Sequence, residues 1–289
     1  MGQKRTLDVS PETVTGLLRV APGTVDLGAV DTGETPGFDG DKAAGKAALA
    51  DLDPYVSTLQ ERLYAEGFVG GNRSVLLVLQ GMDTSGKGGT IRHSIGQLDP
   101  QGVQLASFKA PTAEERRHDF LWRIRRRVPR PGMIGIFDRS HYEDVLVARV
   151  RGLASQSEIE ARYDAINDFE AELVRDGTTV VKCFLHISRE EQRRRLLARL
   201  DDPTKHWKFN SGDIDDRGLW DDFQEAYEIA LERCNADIAP WFVIPADRKW
   251  YRNWAVTKLL GEHLERLAPQ WPPATFDVDK QRKRLLERG

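Results

Sequence analysis

Residues Val75 to Ile91, VLLVLQGMDTSGKGGTI, constrain this chain more than any other stretch. The uninterrupted apolar run Val75-Leu76-Leu77-Val78-Leu79 reads as a strand buried on both faces, the kind found in parallel sheets. Behind it, Gly81-Met82-Asp83-Thr84-Ser85-Gly86-Lys87 matches G-x-x-x-x-G-K, a phosphate-binding loop. The glycines let the backbone turn tightly, so that its N–H groups converge on a phosphate. Lys87 adds a point charge and the next helix presents its positive end. Gly81, Ser85, Gly86, Lys87 and Gly88 are therefore candidate phosphate-binding residues. The residue after the lysine is usually Ser or Thr, whose hydroxyl holds Mg²⁺. Here Gly88, Gly89 and Thr90 follow, so the metal falls to another group, and Asp83 inside the loop is the candidate.

At 289 residues the chain is one large domain or a domain with an appendage. A net charge of −3 argues against a nucleic-acid partner, because no global basic field surrounds the molecule. Two cysteines, Cys183 and Cys234, fit a reducing compartment and offer no metal-ligand spacing. No apolar stretch approaches the ~20 residues of a membrane span, and the N-terminus lacks a signal-peptide block. A cytoplasmic protein without a membrane partner is expected.

Residues 1–42 read as an irregular arm, punctuated by Pro22-Gly23, Pro36-Gly37 and Gly40. Residues 43–66 carry a helical stripe of Leu49, Leu52, Tyr55, Leu59 and Leu63, with Pro54 expected to start or kink the helix. Strands are expected at 103–106, 133–137, 180–185 and 241–244. They alternate with helices at 112–128 (capping box Thr112/Glu115), 157–176, 189–200 (Ser188/Glu191), 219–234 and 251–267. Residues 201–218 are polar and irregular, and 269–289 form a Pro-rich, then basic, tail. Alternating βαβα predicts a three-layer α/β/α domain over 43–268 with a central parallel sheet, its ligand at the carboxyl ends of the strands.

Asp138 ends the strand at 133–137. A carboxylate there, beside a phosphate loop, is where such enzymes hold Mg²⁺, and with Asp83 it would supply the oxygens the missing hydroxyl does not. Arg139 next to it can grip a phosphoryl group with two parallel hydrogen bonds. Arg195 and Arg199, four apart, share a helix face, and Arg199 abuts the polar stretch that also carries Lys205 and Lys208. Arg199 has the position of an arginine that closes over a reacting phosphate. A second group, including Arg116, Arg117, Arg123 and Arg125, either lines a channel for a polyanion or is a soluble face. His141 is the histidine near this chemistry; direct in-line transfer needs no phosphohistidine.

With these residues in hand, the chain resembles the family-2 polyphosphate kinases, in the one-domain branch often called class III. The resemblance lies in GMDTSGKGG (Gly81–Gly89), FKAPT (Phe108–Thr112), FDRSHYEDVLVARV (Phe137–Val150), SREEQRRRLLARLDDPTKHWKF (Ser188–Phe209), WDDFQEAYE (Trp220–Glu228) and APWFVIPADRKWYRN (Ala239–Asn253). Gly88 departs from it, since many relatives carry an acidic residue there.

The resemblance implies a kinase of the P-loop type with a helical lid at about 189–218. It implies reversible phosphate transfer between inorganic polyphosphate and AMP or ADP, with Mg²⁺ and with Mn²⁺ as a substitute. Asp83 and Asp138 would hold metal, Lys87, Arg139 and Arg199 would neutralise the transferring group, and Arg195, Lys205 and Lys208 would bind polyphosphate. Asp138, Arg139 and Glu143 would face the acceptor, and Glu143 goes with use of monophosphates. Guanine nucleotides as further acceptors and a homo-oligomer, dimer or tetramer, are also implied. Two other readings share parts of the pattern: an ATP-using nucleoside monophosphate kinase of the same fold, and a phosphate-loop module that binds nucleotide or RNA without chemistry.

Overall fold

Five parallel strands form one sheet in the order β2-β3-β1-β4-β5. They are β1 (Ser74–Gln80), β2 (Val103–Ser107), β3 (Ile134–Asp138), β4 (Thr178–His186) and β5 (Trp241–Pro245) in the computed structural model, which describes residue 10 and residues 12–288. Central β1 is buried along its whole length, which is why its sequence is apolar without alternation. Truncating a residue such as Leu77 to Ala would cost about 2–5 kcal/mol. The edge strand β2 is more open, with Leu105 exposed. Register sets Leu79 of β1 beside Asp138 of β3 and Cys183 of β4, so the loop after β1 and the tip of β3 leave the sheet at the same edge.

Eleven α-helices accompany the sheet among the described residues. They are α1 (Val14–Leu18), α2 (Lys42–Phe68), α3 (Lys87–Thr90), α4 (Trp122–Arg125), α5 (Glu143–Val150), α6 (Gln156–Arg175), α7 (Arg189–Leu200), α8 (Gly212–Gly218), α9 (Trp220–Arg233), α10 (Lys249–Leu267) and α11 (Val278–Leu286). α2 packs along α10, and α5 packs on α6 and α9, so helices flank the parallel sheet as expected. Fully buried Leu63, Leu77, Phe137, Ile166 and Leu259 join these layers in one core.

Four local expectations change. Pro54 does not start its helix: α2 continues through it, 27 residues in all. An interior proline costs ~3 kcal/mol. Burial of Val56, Leu59 and Leu63 in the same helix offsets that cost. The helix expected at 112–128 forms only as a short 3₁₀ turn (Glu115–Arg117) and α4. Its capping box closes, with Glu115 N donating to Thr112 Oγ1 at 3.2 Å and Thr112 N to Glu115 Oε2 at 2.8 Å, but His118 then turns extended. Arg123, drawn inward to Asp144 and to the Lys109 carbonyl, overrides helix propensity. At α7 only half the box is made: Ser188 accepts from Glu191 N, while Ser188 N donates to Asp247 and the Glu191 carboxylate turns to Arg194 and Arg195. Residues 201–218 are more ordered than expected, holding a 3₁₀ turn (Pro203–Lys208) and α8, and the tail contains α11.

Residues 1–9 and 11 of the arm lie outside the described residues. The remainder packs on the domain. Glu262 of α10 accepts from the N–H groups of Val14 and Thr15 at the start of α1, and Val14, Leu18 and Leu27 are buried. Thr32 and Pro36 accept from Asp247 N and Tyr251 Oη, so the arm braces the segment after β5.

Candidate active site

The phosphate loop opens where β1 ends. Gly81 has φ 147°, and a Cβ there would stand 2.6 Å from the Leu185 carbonyl oxygen, so only glycine fits. Gly86 has φ 110° and caps the N-terminus of α3. Lys87 folds back under the loop: its buried Nζ donates to Gly81 O at 2.6 Å. Burial, and then the Arg139 guanidinium, push its pKa below that of an ordinary lysine, while Asp83, Asp138 and Glu143 pull it back up. Ser85 Oγ, Thr84 Oγ1 and Thr90 Oγ1 are buried without a partner, an array of hydroxyls around one loop. Gly88 is exposed, and a Cβ there would meet nothing within 4 Å. Its departure from the family pattern therefore does not disturb the loop.

The tip of β3 faces that loop. Asp138 makes no side-chain hydrogen bond among the described residues. Arg139 adopts φ 63° and donates from Nη2 to Asp83 Oδ1 at 2.7 Å and from Nη1 to Glu143 Oε2 at 3.4 Å. Glu143, in the first turn of α5, has its carboxyl pushed above the usual range by burial, against the pull of Arg139 and Lys87. Gln80 sits between Glu143 and Ser140, and with its amide nitrogen toward Glu143 it donates to Oε1 at 3.1 Å. His141 is fully buried, its Nε2 3.2 Å from Glu170 Oε1, so it is not presented to a phosphate. Glu170 also accepts from Lys182 at 2.5 Å and Tyr142 Oη at 2.8 Å, a buried cluster that anchors the turn carrying Arg139.

Arg195 reaches the loop but not as a free phosphate ligand. Its N–H groups donate to Glu191 Oε1, the Thr84 and Ser85 carbonyls, and the Ala246 and Asp247 carbonyls, all at 2.6–3.0 Å. It clamps the loop to the end of β5 instead. Arg199, in the last turn of α7, donates to Asp213 Oδ2 at 3.0 Å and to Lys208 O at 3.3 Å, tying α7 to α8 across the turn between them.

Beside the loop lies a cleft of about 540 Å³. α2 lends it Lys42 and Lys46, α7 lends Arg194, Arg195 and Arg199, the following turn Lys205 and Lys208, and α10 Lys249 and Arg252. Among the described residues no carboxylate lines it. Sequence reading singled out Arg195, Arg199, Lys205 and Lys208, but gave no role to Arg194, Lys42, Lys46, Lys249 or Arg252. The signal for Lys249 and Arg252 was their place inside APWFVIPADRKWYRN; for Lys42 and Lys46 there was none, since a helix start on the arm side carries no hint of facing the loop. Of the second arginine group, Arg116 and Arg123 line a separate hollow of about 530 Å³, while Arg125 pairs with Glu172.

Asp83 in the loop after β1 and Asp138 at the tip of neighbouring β3 are hard oxygen donors that fit a Mg²⁺-class ion. No group of three or more His, Cys, Asp or Glu side chains suited to a metal occurs among the described residues. The donor set thus matches an ion completed by phosphate and water rather than by an all-protein cage.

A parallel sheet with a phosphate loop after its central strand, a strand-end Asp-Arg pair and an arginine-bearing helical hairpin above them define a phosphate-loop kinase. The family model described as polyphosphate kinase 2 matches residues 39–271, and the chain belongs to that family. It is 51% identical to the AMP/ADP-polyphosphate phosphotransferase of Meiothermus ruber, over 88% of this chain and 94% of that one. It is 39% identical to the ADP-polyphosphate phosphotransferase of Rhodopseudomonas palustris, over 91% and 92%. The crystal structure of polyphosphate kinase 2 from Arthrobacter aurescens superposes with a TM-score of 0.93 at 53% identity, covering 95% of this chain and 97% of that one. Among the described residues no helix is long and apolar enough to cross a membrane.

Proposed function

We propose that this chain transfers the terminal phosphate of inorganic polyphosphate to AMP and to ADP, reversibly. The cleft at the loop carries the reading: nine lysines and arginines and no carboxylate suit a bare polyanion far better than a single nucleotide. The relatives named above, one described for AMP and ADP and one for ADP, support the same donor and acceptors.

The loop amides and Lys87 hold the terminal phosphate of the donor chain. An oxygen of the acceptor's own phosphate attacks that phosphorus in line. The new P–O bond forms as the bond to the bridging oxygen breaks, and the chain leaves one unit shorter. An acceptor phosphate is already ionised near neutral pH, so no strong general base is needed. What remains is positioning and neutralisation. Lys87 and Arg139 supply charge from below, and Arg199 from the α7–α8 lid. Mg²⁺, with Mn²⁺ as a substitute, would be held by Asp83 and Asp138 and would neutralise phosphate oxygens. Glu143, packed beside Arg139 at the acceptor side, admits monophosphates. Guanine nucleotides as further acceptors, a homo-oligomer and a cytoplasmic location belong to the same reading and rest on resemblance.

Charge reversal at the mouth of the cleft tests the donor. Lys42→Glu with Lys46→Glu should raise KM for long-chain polyphosphate by roughly tenfold or more while leaving KM for AMP nearly unchanged. An unchanged KM for polyphosphate would remove the cleft from the donor path.

A further inference from the structure

Five lysine and arginine side chains are buried among the described residues: Lys87, Arg123, Lys182, Arg195 and Arg252. Three of them face a carboxylate, Arg123 with Asp144 at 3.1 Å, Lys182 with Glu170 at 2.5 Å and Arg195 with Glu191 at 2.6 Å. Lys87 and Arg252 have no such partner among the described residues, and both heads lie against the phosphate loop. A buried charge is ordinarily paired, because leaving water uncompensated is costly.

Arg252 stands in the first turn of α10 and is 3% exposed. Its guanidinium fills the space under the loop glycines. A Cβ on Gly86 would fall 1.7 Å from Nη1, and one on Gly89 would fall 2.9 Å from Nη2. Nη1 donates to the Ser85 carbonyl at 3.2 Å, and Nε and Nη2 both donate to Asn253 Oδ1, at 3.2 and 2.7 Å. Every one of these acceptors is neutral. Burial, and then the neighbouring charge of Arg195, bring its pKa down to about 9, far below that of an ordinary arginine. In the same loop and helix the hydroxyls of Thr84, Ser85 and Thr90 are buried without partners among the described residues, and Arg252 is one of the residues lining the basic cleft. The loop thus holds uncompensated positive charge and unused donors, the complement of an oxygen-rich anion.

We infer that Arg252 is a phosphate-contacting residue of the donor site whose counter-ion is the polyphosphate itself. The inference rests on the polyphosphate reading given above. Polyphosphate binding supplies the missing charge, so part of the binding free energy is relief of an unpaired cation that the ligand-free protein carries.

Arg252→Met tests it. Methionine keeps the packing of the stem, and Ser85 O keeps Arg195 Nη1 at 2.9 Å, so no loop carbonyl is orphaned. Melting is followed with and without inorganic tripolyphosphate, and steady-state rates are measured with long-chain polyphosphate and AMP in Mg²⁺. The ligand-free variant is expected to melt no lower than the parent, and higher by roughly 2 °C if the charge was costly. Its tripolyphosphate-induced shift should fall by about half or more. KM for polyphosphate should rise by about tenfold or more while KM for AMP stays within about twofold, a split that a merely structural role would not produce. An undiminished tripolyphosphate shift with an unchanged donor KM in the variant overturns the inference and leaves the polyphosphate reading standing. If the parent itself shows neither shift nor turnover with polyphosphate, that reading fails and the inference with it. Should the Met variant not fold, Arg252→Lys decides. It keeps the charge but loses the planar fork, so a rise in donor KM of about threefold or more is expected, and no rise overturns the inference.

Discussion

Arg139 holds Asp83 at 2.7 Å from a left-handed backbone conformation, φ 63°. A non-glycine residue in that region costs roughly 1–2 kcal/mol. The pair ties the loop after β1 to the tip of β3, and the buried Glu170–Lys182–Tyr142 cluster braces the turn from below. Arg139→Lys keeps the charge but loses the fork that reaches both Asp83 and Glu143. The expected result is a fall in kcat of about a hundredfold with an unchanged circular dichroism spectrum. Near-normal turnover would show that only charge matters there.

Lys87 should be indispensable. Its amine is buried on the Gly81 carbonyl and has no carboxylate partner among the described residues. Lys87→Ala should lower turnover by at least about a hundredfold with either AMP or ADP as acceptor. Retained turnover would remove the loop from the chemistry.

Glu143→Asn should separate the two acceptors. The side chain lies 3.4 Å from Arg139, where the proposed acceptor would sit, with its carboxyl pushed up by burial. Rates with AMP should fall several times more than rates with ADP, measured side by side at saturating polyphosphate. Equal losses would take Glu143 out of acceptor choice.

Asp213, the lid partner of Arg199, provides a pH test. Burial, and then the nearby Asp83, push its carboxyl from 3.8 up to about 6. Between those values the folded chain binds more protons than the unfolded chain, so this group's contribution to stability falls as pH rises and is least favourable above about pH 6. Asp213→Asn should match the parent in urea midpoint near pH 3.5 and exceed it at pH 7.5. A midpoint below the parent's at pH 7.5 would mean that the pair with Arg199 outweighs the burial of Asp213.

The buried pair Lys182–Glu170 should show strong coupling. Lys182→Met alone strands a buried carboxylate and should cost about 3–5 kcal/mol, whereas adding Glu170→Gln should recover part of that loss. Denaturant unfolding of the two single variants and the double variant measures it, and additive losses would contradict the coupling.

What could be read without coordinates follows from locality. The run Val75–Leu79 announces a central strand because burial on both faces leaves no room for polar residues, and the loop behind it is written in consecutive letters. The position of Asp138 and Arg139 beside the loop was legible because the strand they end runs next to β1. The helix over 112–128 failed because propensity and a capping box are local, while Arg123 is drawn to Asp144, 21 residues away. Arg195 shares a helix face with Arg199, but spacing does not reveal that the Ala246 and Asp247 carbonyls wait on the other side. Lys42 and Lys46 come to the cleft beside the loop through the packing of α2 on α10, a contact between distant stretches of chain.

The most direct measurement incubates the purified protein with AMP, long-chain polyphosphate and Mg²⁺ in the absence of ATP, and follows nucleotides by chromatography. ADP should appear first and ATP after it, which requires polyphosphate as donor and both nucleotides as acceptors. No product under those conditions, with ADP forming once ATP is supplied alongside AMP, would contradict a polyphosphate donor and make the chain an ATP-using monophosphate kinase.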